Sequence, residues 1–492
     1  MWLLIPILLY SAIFLSVRHI YSHWKRRGFP SERAGITWTF LHQAYRREFR
    51  HVEAICEAYQ AGKDRLLGIY CFFRPVLLVR SVELAQTILQ QSNGHFSELK
   101  WDYVRGYRRF NLLEKLAPAF GTKRLADMFG QVQKVGDHLI SYLLDKDQAQ
   151  GGVLEVDMQQ LLRVYSINII GNLIYGLDVN NFEQKDHIFT SFLSRGQSTI
   201  QSFTLSRLPQ KSSFTYRLRD LIKQSVELRE DHGLIRKDIL QLLVRFRNGN
   251  EVSGEKWQIE SNSDQDKCLS IKRLAKVAED LLKVSLDSVS STVTLTLFEI
   301  LQEPLIVEKL LAEVSDLSNE NGKIKFEELE GLKYMDMCLK ETVRKYPPVP
   351  IIERICRKTY PLPNSKLTID EGKTLMVPLL AIHRDEKYFS EPLKYKPLRF
   401  LADNTSGACQ KESKANAFMG FGIGGAQCVG QNFAKLVIKV ALVKLLQNFR
   451  LELDPNLAEA IEVAHQPAPF IRTRDGLKVK LRRREIKATF YR

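Results

Sequence analysis

The segment Phe421-Gly422-Ile423-Gly424-Gly425-Ala426-Gln427-Cys428-Val429-Gly430 constrains this chain more than any other stretch, because separate backbone and chemical demands meet in it. Glycine lets the backbone turn tightly and approach a flat ligand. A helical pattern from Gln431 to Asn448 follows directly and aims its first amide dipoles at the sulfur of Cys428. A thiolate held that way can bind iron. A lone cysteine is more often a small buried hydrophobe, the reading that suits Cys56, Cys71, Cys268, Cys338, Cys356 and Cys409. Seven scattered cysteines, none paired as CxxC, argue against a disulfide framework or a zinc knuckle and suit a reducing compartment.

The amino terminus is the second strong constraint. Trp2 to Val17 is apolar apart from Ser11 and runs into Arg18, His19, His23, Lys25, Arg26 and Arg27. At helical rise the run covers about 25 Å, a little less than the hydrocarbon thickness of a bilayer. Trp2, Tyr21 and Trp24 are therefore expected at the interfaces, with the basic side chains snorkelling outward. A cleaved signal peptide is the alternative. It fits less well, because there is no basic leading region and no small-x-small site, and the basic cluster lies on the C-terminal flank. The positive-inside bias places residues from about 28 onward in the cytosol.

By length alone, 492 residues predict two or more domains, and a composition of 45% hydrophobic and 26% charged residues provides for a large core. A formal net charge of +16 favours an anionic partner such as a membrane surface or an acidic protein face. Nucleic acid is disfavoured, because Lys and Arg are spread along the chain rather than gathered with aromatics into one footprint. Hydrophobic spacing predicts a helix over 40–61, strands over 66–70 and 75–79, and helices near 81–92, 155–176, 214–230, 236–247, 272–302 and 304–317. The polar region 248–270 reads as an exposed linker. After Pro347 short strands and loops are expected, with one more helix at Gln431 to Asn448.

Phe421-x-x-Gly424-x-x-x-Cys428-x-Gly430 resembles the haem-binding loop of cytochromes P450, and further segments match in order. Glu341-Thr342-Val343-Arg344 is similar to the family's ExxR. Tyr395-Lys396-Pro397-Leu398-Arg399-Phe400 is similar to its Phe-x-Pro-Glu-Arg-Phe, whose Arg completes a buried Glu-Arg-Arg cluster that shapes the cysteine loop. Lys345 to Pro350, Arg354 and Ala381-Ile382-His383-Arg384-Asp385 resemble insect microsomal members. Alignment of the 272–302 helix puts Val284-Ser285-Leu286-Asp287-Ser288 on the family's Ala/Gly-Gly-x-Asp/Glu-Thr segment.

The resemblance implies a mainly α cytochrome P450 fold, with a small β-sheet region and an N-terminal membrane anchor. Its expected boundaries are an anchor helix over 1–20, a basic linker over 21–34 and a catalytic domain over 35–492. It implies haem b with Cys428 as the axial metal ligand, a contact that favours cleavage of bound dioxygen. Asp287 and Ser288 are the implied proton-delivering pair. Glu341, Arg344 and Arg399 hold the loop, Phe421, Gly424 and Gly430 shape it, and Arg354 anchors a haem propionate. The implied partners are NADPH-cytochrome P450 reductase, cytochrome b5, membrane lipid and a small lipophilic substrate, on the cytosolic face of the endoplasmic reticulum.

The chain also departs from the family. The position two before the cysteine, usually Arg or His, is Ala426, and the family's Trp-x-x-x-Arg is replaced by Arg109 and Leu113. Arg108 or Arg109 is the expected substitute at the propionates. Val284 and Ser285 crowd the oxygen groove, and the loop between Ser97 and Gly106 is shorter than usual. These departures leave two alternatives beside monooxygenation, a non-oxygenating isomerase-like haem protein and a weakly haemylated binding protein.

Overall fold

The computed structural model describes residues 4–31, 51–62, 64–71, 73–90, 94–98, 116–183, 189, 213–260, 268–315, 317, 323–404, 417–424, 427–454, 463–464, 471–473 and 476–484. The described α-helices are α1 Leu4–Tyr21, α2 His23–Arg26, α3 His51–Gln60, α4 Val82–Gln90, α5 Thr122–Gln150, α6 Met158–Leu173, α7 Ser213–His232, α8 Ile239–Arg247, α9 Ile271–Leu301, α10 Pro304–Val314, α11 Phe326–Glu330, α12 Lys333–Lys345, α13 Leu379–His383 and α14 Gln431–Asn448. The strands are β1 Leu66–Cys71, β2 Arg74–Val79, β3 Phe96–Glu98, β4 Leu154–Asp157, β5 Ile352–Cys356, β6 Tyr360–Pro361, β7 Thr368–Ile369, β8 Thr374–Val377, β9 Phe449–Leu453, β10 Val463–Ala464, β11 Arg472–Thr473 and β12 Lys478–Arg483. Helices dominate and the sheets are small, as the sequence predicts.

The chain divides into two compact units. The first comprises Met1–Tyr107, Val343–Cys428 and His465–Ile471, and the second Arg108–Thr342, Val429–Ala464 and Arg472–Arg492. The first is built on a sheet of order β1-β2-β8-β5-β3. β1 and β2 form the expected hairpin, with Leu66 opposite Val79, and β8 joins β2 in parallel. Val76, Leu77, Leu78 and Val79 are all buried, the unbroken apolar run of a strand covered on both faces.

Two residues of the stretch read as a basic linker, Trp24 and Phe29, belong to this core. Trp24, expected at a membrane interface, is only 2% exposed and packs with Phe29 in the first unit. Its indole Nε1 donates to Ile69 O at 3.1 Å, and its backbone N–H donates to Tyr70 Oη at 3.2 Å. Tyr70 Oη in turn donates to Tyr21 O at 2.9 Å. A Cβ on Gly68 would lie 2.4 Å from the Trp24 ring, so the bare glycine in β1 makes the slot that the indole fills. A buried indole with a carbonyl partner gains its full apolar area at no unpaired polar group, and this outweighs a place at the bilayer surface. Before it, α1 leaves Ile5, Leu8, Leu9, Ile13, Phe14 and Leu15 more than half exposed, which fits an anchor.

In the second unit α9 lies against α6 and α7, and α14 against α5. Ser270 caps α9, its side chain accepting from Arg273 N–H. The helix is long and apolar enough to cross a membrane, but the apolar window is 72% buried, so it is a core helix. The helix expected from 155 starts later. Residues 154–157 form β4 against β12, and Asp157 then caps α6 by accepting from the N–H groups of Gln159 and Gln160.

The helix α5 was not singled out in the sequence. Leu125, Met128, Val132, Val135, Leu139 and Leu143 are buried at helical spacing, but Gly130 and Gly136 interrupt the pattern. The region 248–270 is also less exposed than its polarity suggests, because Val252 and Trp257 are buried. The Arg124 guanidinium sits 4.4 Å over the Trp257 ring and donates to Val252 O and Lys256 O, while Trp257 Nε1 donates to the Asp127 carboxylate.

Candidate functional site

The cysteine loop closes on itself through backbone hydrogen bonds. Gly422 N–H donates to Met419 O at 2.9 Å, Gln427 N–H to Gly424 O at 3.1 Å, and Cys428 N–H to Phe421 O at 2.8 Å. Gly424 has φ +59°, and a Cβ there would meet Gln90 Cα at 2.7 Å and Leu89 O at 3.2 Å. Both the backbone conformation and the approach of another backbone exclude a side chain at this position. Cys428 is exposed and outside any disulfide. The Gly430 carbonyl accepts from Ala434 N–H at 2.8 Å, the first bond of α14. Gly425 and Ala426 lie outside the described residues.

Four other thiols differ from this one. Burial pushes Cys56 up to about 11 and Cys71 up to about 12, and Cys338 and Cys356 are fully buried. Those four sulfurs are packing groups, as the sequence suggests, whereas Cys268 is exposed and does not fit the reading as a buried hydrophobe, and Cys409 lies outside the described residues.

Glu341 and Arg344 lie one turn apart on α12 and are both 0% exposed. Arg344 Nη1 donates to His383 O at 2.7 Å and Nη2 to Pro392 O at 2.8 Å, with the guanidinium 5.4 Å from the Phe389 ring centre. Arg399, half-buried in the 3-10 helix Pro397–Asn404, donates to Ser390 O at 3.1 Å and to Glu391 O and Lys394 O at 3.5 Å. The structure therefore brings the two guanidinium groups onto the carbonyls of a single segment, 390–394. Arg354 is buried on β5, where it faces Glu98 of β3 and Leu375 of β8 in register, and its Nη1 donates to Glu353 O at 2.8 Å. Arg109, Leu113 and most of the short loop after Ser97 lie outside the described residues.

Asp287 and Ser288 sit in the middle of α9. The Asp287 carboxylate is 3.6 Å from Nη2 of Arg163, a residue of α6 whose side chain is 4% exposed. Ser288 Oγ donates to Val284 O at 2.7 Å. It belongs to a ladder in which Ser285, Ser290, Thr292, Thr294 and Thr296 each donate to the carbonyl four residues back. Such bonds loosen the backbone ladder of a helix and favour bending. Thr296 Oγ1 also donates to Thr342 Oγ1 at 3.0 Å, which ties α9 to α12.

Sequence reasoning missed Arg163 and gave His383 no role. Arg163 is remote in sequence from Asp287, and only the packing of α6 on α9 brings them together. For His383 the signal was a histidine inside an otherwise apolar turn, Leu379–His383.

A sequence model of the cytochrome P450 family matches residues 30–480 of this chain. The chain is 81% identical to the probable cytochrome P450 310a1 of Drosophila melanogaster over the whole length of both. It is 34% identical to cytochrome P450 6d3 of Musca domestica over 99% of each chain. It is 31% identical to cytochrome P450 6d1 of the same species, covering 96% of this chain and 98% of that one.

Proposed function

The chain belongs to the cytochrome P450 family, and on that premise we propose that it inserts one oxygen atom of O2 into a small lipophilic substrate, using NADPH electrons delivered by a reductase. Cytochromes P450 are haem-thiolate monooxygenases of the oxidoreductase class, and haem bound through a thiolate supplies reductive activation of dioxygen. In this reading Cys428 is the axial ligand. Arg354 pairs with a haem propionate, joined by Arg109 in place of the family's missing partners. Glu341, Arg344 and Arg399 hold the cysteine loop, while Asp287 and Ser288 carry protons inward. NADPH-cytochrome P450 reductase is the electron donor, cytochrome b5 a second partner, and the endoplasmic reticulum membrane, cytosolic side, the location.

The observation that carries the reading is the cysteine loop. Cys428 is an exposed residue, the backbone is closed by the Phe421–Cys428 hydrogen bond, and position 424 admits only glycine. A stiff turn presenting one sulfur without flanking bulk fits a flat macrocycle. A buried guanidinium at Arg354 fits an anionic side group. Asp287, 3.6 Å from the buried Arg163 guanidinium, and the Ser288 hydroxyl next to it put an acid and an alcohol side by side on α9, the groups a proton relay needs.

Incubation with reductase, NADPH and 18O2 over a panel of lipophilic compounds tests the proposal. It predicts products carrying one 18O atom and NADPH consumption that depends on reductase. Products formed without 18O and without reductase would establish isomerisation or dehydration instead.

A further inference from the structure

His383 ends α13 and is 0% exposed, walled in by the ring of Phe418, stacked at 5.6 Å and 17°, and by the edge of Phe389 at 5.9 Å. Burial, together with the positive charge of Arg344, lowers its pKa from 6.5 to about 3, so the imidazole is neutral. A neutral imidazole has one N–H donor and one lone-pair acceptor. Met419 N lies 3.1 Å from Nε2, and a backbone N–H can only donate. Nε2 is therefore the acceptor and the ring proton sits on Nδ1, which has no hydrogen-bond partner among the described residues.

The same residue works in two directions. Its carbonyl receives Arg344 Nη1 at 2.7 Å, and its ring receives the N–H of Met419. Met419 O then accepts from Gly422 N–H, and Phe421 O from Cys428 N–H. These hydrogen bonds run from the guanidinium of α12 through one histidine into the turn that carries the sulfur.

We propose that His383 is a positioning residue for the thiolate: its neutral imidazole, as the Nδ1–H tautomer, holds Phe418 and Met419 so that the Phe421–Cys428 turn presents Sγ to the haem iron. The proposal rests on the reading of Cys428 as the iron ligand. The position requires a flat apolar face to stack on Phe418 and an uncharged in-plane acceptor at its rim. Phenylalanine supplies only the face, and glutamine supplies the acceptor without the ring.

The test compares wild type, His383→Phe and His383→Gln as full-length holoprotein, with two readouts. Hydrogen exchange of the 417–428 segment reads the loop without reference to haem, and the reduced carbon monoxide spectrum at matched haem content reads the thiolate ligand. In His383→Phe, exchange at Met419 is expected to rise at least tenfold and half or more of the red-shifted Soret band to be lost. His383→Gln is expected to recover most of both. Unchanged exchange in His383→Phe, or equal losses in both variants, would overturn the proposal. If His383→Phe does not fold, the proposal stands or falls on whether His383→Gln keeps the wild-type exchange and band. Accelerated exchange in His383→Phe, rescued by Gln, in a protein whose wild type lacks the red-shifted band would support the loop-holding role and overturn the assignment of Cys428.

Discussion

At the scale of single residues, the chemistry here depends on which groups are buried and what meets them. Arg344 is buried and donates to the carbonyls of His383 and Pro392. Replacing it by methionine keeps most of the volume but strips two buried acceptors of their donor, a loss of about 2–4 kcal/mol. Denaturant unfolding of Arg344→Met should show a lower midpoint at unchanged slope, and an unshifted midpoint would contradict the account. His383 predicts a pH dependence. Its pKa is about 3 in the folded protein against 6.5 ordinarily, so between those values the unfolded chain takes up a proton that the folded chain refuses. The histidine's contribution is fully present above pH 6.5 and is lost as the pH falls, by about 2 kcal/mol near pH 5. Unfolding at pH 7 and pH 5 should therefore show a smaller pH effect in His383→Gln than in wild type, and identical effects would refute the burial argument.

At the scale of elements, the legible parts were those whose signal is local. The hairpin β1–β2, the helix α14 and the cysteine loop follow from periodicity and from glycines within a few residues of each other. Trp24 was misread because its neighbours are basic and lie next to an apolar run, whereas its fate is decided by the gap at Gly68 in a strand well downstream. The partnership of Asp287 with Arg163 was invisible for the same reason, being set by the packing of α9 on α6. The sequence expected Arg344 and Arg399 to act on the cysteine loop, whereas the carbonyls they meet on segment 390–394 carry no sequence signal. The docking of Trp24 makes a prediction at this scale. Trp24→Ala should destabilise the protein by about 3–5 kcal/mol, as loss of a large core side chain does. A stability equal to wild type in chemical denaturation would return the segment to the status of a solvated linker.

For the whole molecule, the chain is a basic P450 with a net charge of +16 that begins in an apolar helix fitting a membrane anchor. The apolar helix α1 exposes its side chains from Ile5 to Leu15, its end at Ile20 and Tyr21 packs on the core of the first unit, and Trp24 and Phe29 directly after it are buried in that core. The apolar helix and the folded core are thus adjacent in sequence rather than separated by a free tether. Length predicted two or more domains, but where the division falls was not legible in the chain, because the first unit is assembled from segments distant in sequence and two of its boundaries fall inside α12 and directly after Cys428. Of the residues proposed for the chemistry, Cys428, Arg344, Arg354 and Arg399 belong to the first unit, and Arg109, Asp287, Ser288 and Glu341 to the second. The assignment of Cys428 is the claim on which the rest depends. The carbon monoxide difference spectrum of the reduced wild-type protein, beside that of Cys428→Ser, tests it most directly. The account predicts a red-shifted Soret band in the wild type that is absent from Cys428→Ser, and a wild-type spectrum without that band, or a serine variant that retains it, would contradict the account.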